Sequence, residues 1–66
     1  MPDTFDVVAV DISTNKVRFF GTGKSYDNAD AIVNMAIMQR GLETEFYAVV
    51  PHKLYADGED WHGGSV

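Results

Sequence analysis

The sequence predicts a small α+β domain with element order β-β-α-β: a three-stranded antiparallel sheet in spatial order 2-1-3, one helix packed on one face, and an extended C-terminal tail. Apolar, β-branched or alternating runs at 5–12, 17–21 and 43–50 have the composition of strands. A turn-forming segment joins the first two runs, and a helical apolar period separates the second from the third. A chain of 66 residues makes one domain. We assign that domain to residues 1–61 and expect 62–66 to be a flexible end.

The first two runs read as a β-hairpin. The first, FDVVAVDI, is nearly continuous in apolar character, which is typical of a central strand. Asn15 in the following turn suits a positive φ. Asp11 is interpreted as the only acid inside a strand and is expected to cap this turn. The second strand is predicted to end at Gly21, where the segment from Gly21 to Lys24 breaks it.

The segment from Ser25 to Gly41 predicts the helix. Ser25 and Asp27 are N-cap residue types, and Gly41 can take the positive φ of a helix C-cap. At about 100° per residue, one broad apolar arc forms and is expected to cover the sheet. Its members are Ala29, Ile32, Val33, Ala36 and Ile37.

The third strand ends at Pro51, which has no N–H to donate. Spatial order 2-1-3 places the most apolar strand in the centre and makes the whole sheet antiparallel. The face away from the helix is then too apolar to be solvated. Either the tail, anchored by Tyr55 and Trp61, or another subunit is expected to cover it. We expect this outer face to carry several of Phe5, Val7, Ala9, Phe20 and either Tyr47 or Phe46.

A second apolar strip lies on the helix almost opposite the main arc. It consists of Ala31, Met35 and Met38, with polar residues on both sides. One sheet cannot bury both helix faces, and methionine is common at adaptable interfaces. We therefore predict an interface made of this strip together with Phe20 and Phe5, in a homo-oligomer that is a dimer or larger. Antiparallel helices across a twofold axis are its simplest form.

A glycine-lysine-serine triplet opens the helix and resembles the second half of a phosphate-binding loop. The first glycine of that motif would fall at position 18, which is Arg18. A milder hypothesis is that the turn holds a small anion through backbone N–H groups and basic side chains. The predicted ligand-binding residues are Arg18, Gly23, Lys24 and Ser25.

The composition narrows the function classes. Five basic and ten acidic residues give a net charge of −5, which argues against direct binding of nucleic acid or of anionic membranes. The chain has no cysteine, so disulfides and thiolate zinc sites are excluded. There is no apolar run of transmembrane length and no signal-peptide pattern at the start, so a cytoplasmic location is expected.

No catalytic, metal or cofactor site is predicted. The acidic segment from Asp57 to His62 lacks the spacing of a calcium loop. No nucleophile-base order and no pair of carboxylates is evident. We therefore expect that this chain is not an enzyme.

The resemblance of this chain to known proteins rests on four segments. DAIVNMA at 30–36, RG at 40–41, EFYAVVP at 45–51 and YADGEDW at 55–61 look like short proteins encoded by tailed bacteriophages. The resemblance covers about residues 5–61. It implies a source, a size class and a host-cell cytoplasmic location, and it carries over no site residue.

Three functions follow as hypotheses. The first is a non-enzymatic interaction protein that binds a host protein or assembles with itself. The second is a protein that binds a small anion, such as a signalling nucleotide, at the turn from Gly21 to Ser25 or between subunits. The third is an acidic mimic of nucleic acid, which needs Asp57, Glu59, Asp60, Glu43 and Glu45 on one face.

Overall fold

A computed structural model describes residues 4–63 and confirms the predicted fold. The elements are β1 (Phe5–Asp11), β2 (Val17–Lys24), α1 (Tyr26–Arg40) and β3 (Glu45–Pro51). β1 lies in the centre of an antiparallel sheet ordered β2-β1-β3. The tail follows β3 and packs back on the sheet.

The β1–β2 turn forms as its residues predict. Asn15 has a φ of 59°. Asp11 Oδ1 accepts hydrogen bonds from the Ser13 hydroxyl at 2.6 Å and the Ser13 N–H at 2.8 Å. These hydrogen bonds to the charged form lower the pKa of the Asp11 carboxyl.

The second strand is longer than predicted. It does not end at Gly21 but continues to Lys24 through two shifts in its register against β1. Gly23 has a φ of 65°, a backbone conformation that residues with a side chain rarely adopt. The glycines that predicted a break instead let the strand bulge, because a β-bulge inserts an extra residue without ending the pairing.

The helix has the predicted ends. Ser25 Oγ accepts a hydrogen bond from the Asn28 N–H, and the Gly41 N–H donates to Ile37 O at 2.8 Å. The first bond satisfies an N–H that the first helical turn leaves without a partner, and the second satisfies a carbonyl of the last turn.

The helix covers the face of the sheet opposite to the one predicted. Phe5, Val7, Ala9 and Phe20 lie under α1 instead of on the outer face, together with Tyr47 and Val49. Strand alternation sorts residues into two sets correctly, but it does not say which set the helix covers. β2, α1 and β3 form a parallel crossover around β1, and the right-handed preference of such crossovers selects the side.

The tail covers the other face, which settles the alternative left open between the tail and another subunit. Tyr55 is 3% exposed and stacks on Trp61, whose ring also meets Phe46 edge-on. The His62 ring stacks on the Tyr55 ring, and the His62 backbone N–H donates to the Tyr55 hydroxyl. Most of the end predicted to be flexible, residues 64–66, lies outside the described residues. The apolar residues beneath this cover are Val8, Val10, Val17, Phe19, Ala48 and Val50.

Candidate functional site

The strongest candidate site is the outer strip of α1, made of Ala31, Met35 and Met38. All three residues are exposed, and Met35 and Met38 are 57% and 86% exposed. The opposite face of the same helix is buried against the sheet through Ala29 and Ala36. The helix is therefore held in place by one face and presents the strip outward, as the helical spacing predicted.

Phe5 and Phe20, the other two predicted interface residues, do not share this surface. Both are half-buried between the sheet and the helix. The Phe5 ring meets Tyr26 edge-on at 5.5 Å. The Phe20 ring meets Tyr47 at 5.6 Å and lies 5.1 Å from the Arg40 guanidinium. Their visible role is to pack α1 on the sheet.

Arg18 lies apart from the other residues of the predicted anion site, which are consecutive in the chain. Arg18 and Lys24 are six positions apart on one strand, a span of about 20 Å. Arg18 donates to both carboxylate oxygens of Glu45, at 2.9 and 3.2 Å. Ser25 Oγ is occupied as the helix cap. The Gly23 N–H donates to Asp6 Oδ1 at 3.0 Å, so a carboxylate of the chain itself occupies this position.

Asp6 is the residue that sequence reasoning missed. It is a second acid inside β1, and it is 1% exposed. His52 Nδ1 lies 2.7 Å from Asp6 Oδ1, and the Lys53 N–H donates to Oδ2 at 3.0 Å. With the Gly23 N–H, the carboxylate therefore joins the β2 bulge to the start of the tail. The signal that could have identified it is a carboxylate within an otherwise apolar run.

The environment of Asp6 keeps it ionised. Burial raises the pKa of its carboxyl, but the hydrogen bonds from His52, Lys53 and Gly23 outweigh burial and hold that pKa below its ordinary value. Asp6 and His52 are the same residue types as the acid and histidine of a hydrolase triad, and the likeness ends there. No serine or threonine hydroxyl is in hydrogen-bond contact with His52 among residues 4–63. The geometry assigns this pair to fastening the tail.

A second polar network lies on the helix side of the sheet. Glu45 accepts hydrogen bonds from Arg18 and from the Tyr47 hydroxyl at 2.9 Å, and Arg40 lies 3.8 Å away. Burial and the Glu45 carboxylate together raise the pKa of Tyr47. A cavity of about 300 Å³ opens beside Arg18 and Glu45, with Lys16 and Asp11 at its rim. Each of these charged groups already has a partner within the chain.

The acidic residues of the tail mostly serve the fold. Asp57 Oδ1 accepts from the Phe19 N–H, Glu59 Oε1 accepts from the Ala56 N–H, and Asp60 pairs with Lys16. Glu45 lies on the helix side of the sheet in the network described above. Within residues 4–63, no group of three or more acidic or histidine side chains is placed to hold a metal ion.

Comparisons with known proteins give no match from which a function could be transferred, so the arrangement of the side chains described above is the basis for a functional proposal. No protein-family model matches the sequence, and comparisons with curated proteins and with solved structures give no significant match. In the described part of the chain, α1 is too short and too polar to cross a membrane.

Proposed function

We propose that this chain is a small cytoplasmic interaction protein, with no chemistry of its own, that binds a protein partner through the outer strip of α1. The observation that carries the proposal is the exposure of Met35 and Met38 in line on a helix whose opposite face is fixed to the sheet. Apolar side chains presented this way favour docking against another protein surface. The resemblance to phage-encoded proteins makes a protein of the host cell the partner to seek.

The other apolar surfaces of the chain support this choice. The tail occupies one face of the sheet, and α1 occupies the other. Within residues 4–63, the outer strip is therefore the place where a row of apolar side chains remains exposed on a regular element. The Gly23 N–H and the Arg18 guanidinium, both proposed for anion binding, are engaged by Asp6 and Glu45, which leaves that alternative with less support.

The test is photo-crosslinking from inside the strip. A photoreactive residue at Met38 is expected to give one covalent adduct in the host cytoplasm, and the same residue at the exposed Thr22 of β2 is expected to give none. Adding Met35→Asp should abolish the adduct. Equal labelling from positions 38 and 22 would show that the strip is not the binding surface.

Binding of the isolated partner should depend on the apolar side chains of the outer strip. The double variant Met35→Asp, Met38→Asp should weaken binding at least about 30-fold, because two apolar contacts are replaced by charges that must be desolvated. The matched control is Asn34→Asp, Gln39→Glu, which adds the same charge on the polar borders of the strip and should bind within a few-fold of wild type. Both variants should unfold at nearly the wild-type temperature, since the changed side chains are exposed. Equal losses in both would mean that net charge, and not the strip, controls binding.

A further inference from the structure

The two edges of the sheet are treated differently by the rest of the chain. β1 is central, so β2 and β3 are both edge strands. The tail covers the first part of the β2 edge: the Val17 N–H donates to Glu59 O, and the Gly58 N–H donates to Val17 O, both at 2.8 Å. The Phe19 N–H donates to Asp57. An unpaired strand edge invites pairing with another strand, and this part of the edge is protected from it.

The edge of β3 has no such cover. The Ile12 N–H donates to Thr44 O, and the His52 N–H donates to Thr4 O. Hydrogen-bonded pairs alternate along an antiparallel ladder. The even-numbered residues of β3 therefore direct their backbone N–H and C=O groups toward β1. Glu45, Tyr47 and Val49 therefore direct their N–H and C=O groups outward. Within residues 4–63, none of these groups forms a backbone hydrogen bond outside the β1 ladder.

The charges beside this edge complement each other across a twofold axis. Glu43 lies before β3 and Lys53 lies after it, and both are exposed. Neither takes part in an ion pair within the described residues. Glu45, on the strand itself, is already matched by Arg18 and Arg40. The edge thus has an unmatched acid at one end and an unmatched base at the other.

We propose that two copies of this chain pair antiparallel through β3 and form a continuous six-stranded sheet. In the register centred on Tyr47, this residue lies opposite Tyr47 of the second copy. Glu45 of each copy lies opposite Val49 of the other. These three residue pairs together form six backbone hydrogen bonds. Glu43 then lies at the same end of the paired strands as Lys53 of the second copy, so their opposite charges attract across the interface. Tyr47 and Val49 keep their side chains buried under α1, so pairing needs no change in the core.

A second copy fits this edge better than an unrelated peptide does. The acid-to-base order of Glu43 and Lys53 is satisfied at both ends only by an antiparallel partner with the same order. Pro51 has no N–H, which limits the pairing to the segment that the twofold register uses. Because the twofold axis is perpendicular to the sheet, both α1 helices lie on one side and both outer strips point the same way. This inference does not depend on what the strips bind.

A charge exchange tests the proposal. Glu43→Lys and Lys53→Glu should each weaken self-association of the free protein about tenfold at low salt, because attraction at two symmetric positions becomes repulsion. A mixture of the two variants should form a heterodimer with affinity near that of wild type, since every contact between the two chains is again between opposite charges. Native mass spectrometry and sedimentation velocity measure both effects. A folding defect in either variant could not produce this rescue.

Amide hydrogen exchange supplies the second readout. In the dimer, the Tyr47 and Val49 amides should become protected as concentration rises, and the Phe46 and Ala48 amides should be protected at every concentration. Met35→Asp, Met38→Asp should leave both readouts unchanged, which separates this interface from the outer strip. A wild-type chain that stays monomeric at millimolar concentration would overturn the proposal. So would a dimer that shows no rescue on mixing and no protection of Tyr47 and Val49.

Discussion

The variant Asp6→Ala is expected to lose about 3–5 kcal/mol of stability, because it removes a buried carboxylate that takes part in three hydrogen bonds. The N–H groups of Gly23 and Lys53 would lose their acceptor, and so would the His52 ring. A domain of 66 residues is typically stable by about 3–10 kcal/mol in total. Much of the variant should therefore be unfolded at 25 °C, as measured by urea denaturation followed by circular dichroism.

Two companion variants apportion that loss. His52→Ala should cost about 1–2 kcal/mol, because the carboxylate keeps its two backbone donors and only one hydrogen bond is lost. Asp6→Asn keeps one acceptor oxygen and should fall between the two. If Asp6→Ala were no worse than His52→Ala, the backbone contacts of the carboxylate would not be holding the bulge and the tail together.

The pH dependence of stability gives an independent check on Asp6. The pKa of its carboxyl is lower in the folded chain than its ordinary value of 3.8. The unfolded chain therefore binds this proton more tightly, and the contribution of Asp6 is fully present above that ordinary pKa and is lost as the pH falls through the folded pKa. The stability difference between wild type and Asp6→Asn should shrink as the pH falls below 3.8. A difference that grows as the pH falls below this value would contradict the assignment.

The parts of the fold that were predictable are those fixed by local chemistry. Ser25 caps the helix because its hydroxyl reaches an N–H three residues on. Asn15 forms the turn because it tolerates a positive φ. The outer strip follows from helical spacing, which places Ala31, Met35 and Met38 almost opposite the centre of the buried arc. Each of these inferences needs only a few neighbouring residues.

The parts that sequence reasoning missed depend on distant residues. Alternation separates Phe5 from Val8, but the handedness of a crossover that spans β2, α1 and β3 decides which of them lies under the helix. The prediction places Phe5 and Phe20 at an interface because it exchanges the two faces of the sheet. Asp6 is a buried ion only because Gly23 and His52, 17 and 46 positions away, converge on it. A carboxylate in an apolar strand indicates that partners exist without saying where they are.

The tail covers the sheet face away from α1, and Tyr55 is the most buried of its described residues, so we expect its substitution to cause the second large loss of stability. Tyr55→Ala is expected to cost about 3–5 kcal/mol, the range for removing a buried aromatic side chain. Tyr55 is 3% exposed and packs over the cluster of Val8, Val10, Val17 and Val50. Its ring stacks with the rings of Trp61 and His62. Removing the ring would leave a cavity, and the backbone N–H of His62 would lose the Tyr55 hydroxyl as its acceptor.

The neighbouring residue provides a matched control for this change. Leu54 also lies in the tail but is 39% exposed, and Leu54→Ala should cost less than about 1 kcal/mol. Thermal and urea unfolding of the two variants give the comparison. Dye binding to exposed apolar surface should rise for Tyr55→Ala under native conditions and stay at the wild-type level for Leu54→Ala. Equal effects of the two changes would mean that the tail does not close this face. The apolar set around Val8 would then need a second subunit to cover it, because a valine-rich sheet face of this extent is not stable in contact with water.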